Sequence, residues 1–376
     1  MRWILRAGLA LGLAAGACKD SIAPKSLANP QATTAQMAAL DTLFNVSALT
    51  SFSALSGDIA PVAAARVAML RAVASASNPL ARSSALRPYA QGLESARMLR
   101  QLVPTLAGAS AAAIFPPDVL GKTFEWNVTT DVYEATARTG APTNGVRFIL
   151  YAVDPLSNLP VEPLVEVGYV DLKDESAGST AKVHITVAGV GGTPVYVDYS
   201  VTLASLSTTS VRMNTAGYIT NGVSSPDTLR FTGLILVAGS TTSASVTQDV
   251  TLDVNARDAH IRLWERVSLT QTTADLRIYF RFQHGPEGVT LEGNFNLDSV
   301  GQTVDGTLTA KVDGGPFATC TVAAGPDTYT LTCRGADADG LNADEEEALQ
   351  ALGDGVAHVS EIVGGLFGPA VNILGA

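Results

Sequence analysis

Charged residues are scarce in this sequence, and positive charges are the scarcer kind. Only 16% of the 376 residues are charged, and 24 Lys and Arg against 35 Asp and Glu give a formal net charge of −11. Nucleic-acid binding needs a basic surface against the phosphates, and docking on anionic lipids also needs positive charge. The composition therefore argues against a nucleic-acid partner and against electrostatic attachment to a membrane.

The recognisable motifs of catalysis are also missing. The sequence has no GxSxG, P-loop or GxGxxG stretch, and its four histidines show no HExxH spacing. In the acidic stretch from Asp337, Gly340 stands fourth, whereas a calcium-binding EF-hand loop needs glycine at the sixth position. We therefore predict no enzymatic activity, no cofactor and no metal site. A hydrolase stays open as a lesser alternative, because catalytic carboxylates can meet only in the folded chain. The histidines are His184, His260, His284 and His358.

The beginning of the chain has the pattern of an export signal. Arg2 and Arg6 precede an apolar run, Ala7–Ala17, that is too short to span a bilayer as a helix. Small residues directly precede Cys18, and this ending resembles the lipobox of bacterial lipoproteins, although Ala15 stands where that family usually has Leu. The resemblance covers only this start of the chain. It implies removal of residues 1–17, diacylglycerol on Cys18 and a lipid anchor in the cell envelope. The alternative is an ordinary cleaved signal in which Cys18 is coincidental.

The segment after Cys18 is expected to connect that anchor to a folded domain. No later stretch has the hydropathy of a transmembrane helix, so the membrane would be reached through the lipid, whose buried methylenes contribute about 0.8 kcal/mol each. Residues 18–31, with Pro24, Lys25 and Pro30, have the composition of a tether.

Besides Cys18 the chain contains two cysteines, Cys320 and Cys333. They flank the turn signal Gly325–Asp327 within two alternating, Thr-rich runs, which predicts a β-hairpin. Folding that hairpin places Cys320 opposite residue 332 or 333, close enough for a disulfide. An exported protein meets an oxidising compartment, where the bond would persist. Two buried free thiols are the alternative.

Residues 32–117 have a helical pattern. Thr33 followed by Gln36 is typical of a capping box, and apolar residues then recur every three or four positions. Two further helices are predicted over residues 62–78 and 86–102. The apolar positions of the first helix are Met37, Leu40 and Phe44.

From residue 118 to residue 334 the apolar period changes to two. Val183, Ile185 and Val187, for example, alternate with polar residues such as His184. Turn signals separate roughly a dozen such runs of about ten residues, with no helix-length gap between them. The fold class is therefore mainly β, a large antiparallel meander in the form of a curved sheet, a partial barrel or a sandwich.

Some strands carry apolar side chains on both faces, so both faces of the sheet must be buried there. Phe148 and Leu150, for example, oppose Ile149 and Tyr151. We expect the N-terminal helices on one face, and the C-terminal helix or a ligand on the other.

Residues 335–376 are predicted to form an acidic loop and an amphipathic helix. Asn342 and Glu345 have the spacing of a helix cap. The apolar stripe that follows consists of Leu349, Leu352, Val356, Val359, Val363, Leu366 and Phe367.

One surface feature is a candidate ligand site. A turn near Thr272 would bring four arginines and two aromatic residues together on one face of two strands. Such a patch can hold an anionic or sugar ligand by charge, stacking and cation–π contact. In the simpler interpretation it is a solvated ladder that Asp249, Asp253 and Glu292 neutralise. The patch residues are Arg262, Trp264, Arg266, Arg277, Tyr279 and Arg281.

Three classes of function follow from the sequence. The first is a non-catalytic envelope lipoprotein with a structural or interaction role, whose partner is another envelope macromolecule. The second is a carrier that holds an apolar ligand or lipid in the curved sheet. The third is a secreted hydrolase. An apolar concave face that is empty would favour the carrier, and one filled by the C-terminal helix would favour the first class.

Overall fold

The computed structural model describes residues 23–44, 46–55, 114–154, 157, 159–207, 209–223, 228–240, 242–254, 257–270, 272–298, 303–324 and 329–374. The signal, Cys18 and the helices predicted over 62–78 and 86–102 lie outside these residues.

The described strands form one open sheet, with β15 at one edge and β2 at the other. Its order is β15-β14-β13-β12-β11-β10-β9-β8-β7-β6-β5-β4-β3-β1-β2, so that thirteen strands from β3 to β15 follow one another as an antiparallel meander. This confirms the mainly β fold class. The strands are β1 (Thr123–Asn127), β2 (Val132–Thr136), β3 (Gly145–Tyr151), β4 (Glu166–Asp174), β5 (Lys182–Ala188), β6 (Val195–Leu206), β7 (Ser210–Thr220), β8 (Thr228–Gly239), β9 (Ala244–Val254), β10 (Ala259–Leu269), β11 (Thr273–His284), β12 (Glu287–Asp298), β13 (Thr303–Val312), β14 (Gly315–Ala324) and β15 (Tyr329–Gly335).

The sheet departs from a pure meander at the β2 edge. β1 and β2 form a hairpin, and β1 then pairs in parallel with β3, with Phe124 opposite Phe148. The two rings stack with their centroids 4.9 Å apart. The predicted antiparallel meander therefore has one parallel pair at this edge, and the strand β2, rather than a helix, lies between the two parallel strands in the chain.

Successive side chains of each strand point to two different faces. The inner face carries buried apolar residues such as Ile261 and Leu263 of β10, whereas Arg262, between them, is exposed on the outer face. A twisted sheet of this width normally curls rather than staying flat. One apolar core extends over strands β1 to β14 and includes residues from all the described helices.

Three helices are present among the described residues, and the first begins earlier than predicted. They are α1 (Pro30–Phe44), α2 (Ser47–Leu55) and α3 (Ala343–Leu374). Asn29 caps α1 by accepting a hydrogen bond from the N–H of Ala32 at 3.0 Å. The capping box expected at Thr33 is therefore wrong, and Pro30 occupies the first turn, where its missing N–H costs nothing.

The cap predicted for the C-terminal helix is confirmed. The side chain of Asn342 accepts a hydrogen bond from the N–H of Glu345 at 3.0 Å, and the carboxylate of Glu345 accepts one from the N–H of Asn342 at 3.1 Å. Within the described chain, no helix combines the length and apolar character needed to cross a membrane. The stripe residues whose side chains are described are all buried: Leu349, Leu352, Val356, Val359 and Leu366.

The helices pack on the inner face. α3 contacts β5, β6 and β10, α1 contacts β7, and the two helices also contact each other. At their crossing, Gly355 of α3 lies so close to α1 that a Cβ atom there would be 2.8 Å from Sδ of Met37. The expectation that the N-terminal and C-terminal helices would cover opposite faces is therefore wrong, because both bury their apolar stripes in one core.

The last hairpin has the predicted cysteine pair in register. Cys320 of β14 stands directly opposite Cys333 of β15, and their sulfur atoms are 2.12 Å apart in a disulfide. The bond joins the edge strand β15 to the rest of the sheet. Cys320 is buried, in agreement with its place in the core.

Candidate functional site

The six residues proposed as a ligand patch lie together on the outer face. Strand β10 ends at Leu269 and β11 begins at Thr273, and the register of the two strands places three pairs of patch residues directly opposite one another. All four arginines are exposed, and the two aromatic side chains are half-buried. We call this surface the arginine–aromatic patch. Its opposed pairs are Arg262 with Arg281, Trp264 with Tyr279 and Arg266 with Arg277.

One arginine of the patch has an ionic partner. Arg262 donates two hydrogen bonds to the carboxylate of Asp249 on β9, at 3.1 and 2.9 Å. This bidentate pair raises the pKa of Arg262 and holds its guanidinium in a fixed orientation. Part of the predicted neutralisation is thus confirmed.

The other two expected counter-charges are engaged elsewhere. Asp253 accepts a hydrogen bond from Nδ1 of His260, and Glu292 binds Nζ of Lys311 at 2.9 Å. Of the three predicted counter-charges, Asp249 therefore contacts an arginine of the patch, whereas Asp253 and Glu292 contact other residues. The sequence could not show this, because His260 and Lys311 become neighbours of these carboxylates only through the register of the strands.

Arg266 and Arg277 form the uncompensated part of the patch. They oppose each other across β10 and β11, and their outer neighbours are the neutral residues Thr247 on β9 and Asn294 on β12. Within the described part of the chain, no carboxylate lies within 4.0 Å of either guanidinium. Directly opposed like charges destabilise a sheet. Two free guanidinium groups side by side can instead hold one anionic group.

The aromatic pair lies between the two arginine pairs. Trp264 and Tyr279 occupy the middle row, with Asp249 and Glu292 as their outer neighbours. Among the described residues, no arginine lies over either ring, and the cation–π contact that is present, Arg147 over Tyr169, is far away on β3 and β4. The two rings therefore remain as a flat apolar surface on which a ligand ring can stack.

A second polar cluster lies buried on the inner face, directly behind the patch. Glu265 of β10 is only 3% exposed and accepts hydrogen bonds from Gln248 of β9 and from Ser360 of α3, the latter at 3.1 Å. Burial raises the pKa of Glu265. Sequence analysis missed this cluster, although one signal was available. In the alternation along β10, Glu265 falls on the inward side with Leu263. Arg262 and Arg266 fall on the outward side.

The histidines have separate surroundings. Both ring nitrogens of His184 contact carboxylates, Glu175 at 2.8 Å and Asp198 at 2.9 Å, on the outer face. His284 stacks on Phe282, and the side chain of His358 lies outside the described residues. Among the residues with described side chains, no group of three His, Cys, Asp or Glu is arranged to hold a metal ion.

The acidic stretch before α3 is a local turn. Asp337 accepts a hydrogen bond from the N–H of Gly340 at 3.0 Å, and Gly340 adopts a positive φ of 77°. The carboxylate thus stabilises the backbone ahead of the helix cap.

Comparisons of the chain with protein-family models, curated proteins and solved structures give no match. The function must therefore be inferred from the geometry of the patch and of the filled core.

Proposed function

We propose that this protein is a non-catalytic, lipid-anchored protein of the cell envelope that binds an acidic polysaccharide through the arginine–aromatic patch. The observation that carries the proposal is the opposed pair Arg266 and Arg277, which has no carboxylate within 4.0 Å in the part of the chain that the structure describes. A directly opposed pair of arginines costs stability, so its presence on an otherwise acidic protein requires a compensating role. An anionic ligand supplies that role.

The chemistry of the patch favours a sugar with an acidic substituent. The row of Trp264 and Tyr279 offers stacking to a sugar ring, and the adjacent row of Arg266 and Arg277 offers donors for a carboxylate or sulfate. An extended polymer suits the open outer face of the sheet better than a small ligand does, because a small ligand needs a concave site. The net charge of −11 would repel the polymer from most of the remaining surface.

The binding site is tested with polygalacturonate as the acidic polymer and dextran as the neutral one. We expect the wild type to bind polygalacturonate and to lose affinity with added salt, because exposed charges are screened. The double variant Arg266→Gln with Arg277→Gln should bind about tenfold or more weakly, which corresponds to one lost charged hydrogen bond of about 1.4 kcal/mol or more. Titration calorimetry measures both affinities.

A matched control removes the same charge elsewhere. Arg230 on β8 and Arg334 on β15 are exposed on the outer face and outside the patch. The double variant Arg230→Gln with Arg334→Gln should keep most of the affinity. An equal loss in both double variants would mean that bulk charge drives binding, and absence of binding by the wild type at low salt would refute the proposal.

The lipid anchor is a separate part of the proposal. Its support is the lipobox resemblance at Cys18, which precedes the first described residue, Ala23, by only five positions (23 − 18). Cys18→Ala should move the protein from the membrane fraction to the soluble fraction in cell fractionation. A variant that stays as firmly bound as the wild type would show that Cys18 does not carry the anchor.

Carriage of an apolar ligand is less well supported. The contacts of α3 with β5, β6 and β10 occupy inner-face surface that a carried lipid would need. Two buried polar contacts also hold the helix in place: Tyr199 donates a hydrogen bond to the carbonyl of Leu366, and Ser360 bonds Glu265. These contacts oppose movement of α3 away from the sheet.

A further inference from the structure

Exposed apolar side chains are concentrated at one end of the sheet. Among the described residues, nine large apolar side chains are exposed, and seven of them lie in or beside the turns that follow odd-numbered strands. Because neighbouring strands of the meander alternate in direction, and β1 runs parallel to β3, all of these turns are at the same end. The seven residues are Val128, Val132, Leu159, Val161, Val165, Val190 and Val223.

The first described residues of the chain are fixed to the same end. The N–H of Lys25 donates to the carbonyl of Pro316, at 3.0 Å, just after the turn between β13 and β14. The N–H of Ala28 donates to Glu287 at the start of β12, at 2.6 Å. A Cβ atom on Gly315 would lie 2.9 Å from the carbonyl oxygen of Ala23, so the chain lies closely against this turn. We call this end of the molecule the leash end.

The position of Ala23 limits how far the leash end can be from an anchored Cys18. The two residues are five positions apart in the chain, and a fully extended chain covers at most about 3.3–3.6 Å per position, or about 17 Å in total. A lipid on Cys18 would therefore hold the leash end within about 17 Å of the membrane surface. The opposite end, where Leu120 is exposed, is separated from it by the length of the strands.

We infer that the leash end is a membrane-docking surface, whose aliphatic turn residues insert into the lipid interface next to the anchor. The inference rests on the proposed lipid anchor for its orientation, and it adds a second contact to it. The acyl chains of a diacylglycerol on Cys18 would already hold the chain on the bilayer, and inserted turn residues would add an apolar contact that fixes the orientation of the domain. The sheet would then stand upright on the bilayer, with the arginine–aromatic patch on its side.

The charges at this end favour a zwitterionic lipid surface. Glu162 and Asp131 lie in the same set of turns as Val161 and Val128, and the whole chain has a net charge of −11. Anionic lipids would repel these carboxylates. Docking should therefore be apolar, insensitive to salt and no stronger on anionic vesicles.

The test measures the depth of single fluorophores in the membrane. The full-length, lipidated protein, with Val161→Cys or Val190→Cys labelled by an environment-sensitive dye, is reconstituted into phosphatidylcholine vesicles that contain spin-labelled quencher lipids. Leu120→Cys, at the opposite end, is the matched control. We expect quenching at positions 161 and 190 to be several-fold stronger than at position 120. Adding Val165→Asp should reduce the quenching at position 190, whereas Leu120→Asp should not.

The outcomes separate docking from the anchor. Equal quenching at all three positions would contradict membrane docking by this end. Absence of quenching at positions 161 and 190 would also contradict it, and that result is expected if these valines bind another protein instead. Mass spectrometry of the N-terminal peptide reports lipidation independently. If Cys18 carries no lipid, the Cys18→Ala chain can be bound to vesicles through an N-terminal hexahistidine tag and a nickel-chelating lipid. The quenching at positions 161, 190 and 120 is then compared in the same way. Stronger quenching at positions 161 and 190 there would support docking without the lipid.

Discussion

Glu265 shows how a single residue can connect the two faces of this sheet to the helix. Its neighbours Trp264 and Arg266 belong to the outer patch, whereas its own carboxyl group lies in the core against Gln248 and Ser360. A buried carboxyl group without a cationic partner is held in its neutral form. The group therefore ties α3 to β9 and β10 by hydrogen bonds instead of by charge.

This burial predicts how stability depends on pH. Because the pKa of Glu265 is raised above 4.5 in the folded protein, the native state binds a proton more tightly than the unfolded state. Its contribution to stability is complete at low pH and falls as pH rises from about 4.5 through the raised native pKa. Glu265→Gln keeps the hydrogen bonds but removes the titration. It should match the wild type near pH 4 and be more stable than the wild type at pH 8.

Urea unfolding of both proteins from pH 4 to pH 8 measures this difference. Other carboxylates, such as Glu175, whose pKa is lowered mainly by Lys182 and also by His184, contribute the opposite slope, but they do so equally in both proteins. Parallel pH profiles would contradict a protonated Glu265. As a further control, Glu265→Ala should lose about 1–3 kcal/mol, because Gln248 and Ser360 would each lose a buried hydrogen-bond acceptor.

At the scale of elements, the strands with the strongest apolar alternation were predicted correctly, and those with the weakest alternation were missed. The strands β2, β4 and β7 were not recognised. On β7 the inward positions include Thr215 and Gly217, which interrupt the apolar alternation, and Gly217 is required because a Cβ atom there would lie 2.2 Å from the Cβ of Tyr199. A pattern of hydrophobicity cannot show that a neighbouring tyrosine needs that space.

The C-terminal helix is the opposite case, in which local signals sufficed. Its cap, its stripe and its packing on the apolar face were all predicted from the spacing of residues such as Asn342, Leu352 and Val356, and are confirmed by their contacts. The placement of the six patch residues together on one face of β10 and β11 was likewise predicted from the turn near Thr272 and agrees with the strand register. The partners of Glu292 and Asp253 were not predicted, because several side chains on neighbouring strands can reach each carboxylate.

The hairpin of β14 and β15 carries a prediction about the edge of the sheet. The disulfide between Cys320 and Cys333 closes a short loop with a sequence separation of 13 residues. It should stabilise the protein by about 2–3 kcal/mol, mainly by constraining the unfolded chain. The double variant Cys320→Ala with Cys333→Ala should lose that free energy of unfolding in urea.

Reductant provides the control for this prediction. It should destabilise the wild type to the level of the double variant and leave the double variant unchanged. Peptide mapping without reductant identifies the bond itself. Two freely alkylated thiols in the exported protein would contradict the pairing of Cys320 with Cys333.

At the scale of the whole molecule, the inner and outer faces have different tasks. The inner face is occupied by α1, α2 and α3, which share one core with the strands. The outer face carries the uncompensated Arg266 and Arg277, and the leash end carries the exposed valines. A protein arranged in this way would act through its surfaces, anchored at one end and binding its partner on the side of the sheet.

Titration of the intact protein with a fluorescent fatty acid tests this division most directly. A filled inner face predicts no saturable binding by the intact chain, while a chain that lacks residues 342–376 exposes the apolar face and serves as a positive control. Stoichiometric, saturable binding by the intact chain would contradict the filled core. It would show that a ligand displaces α3 from the inner face and that the protein is a carrier.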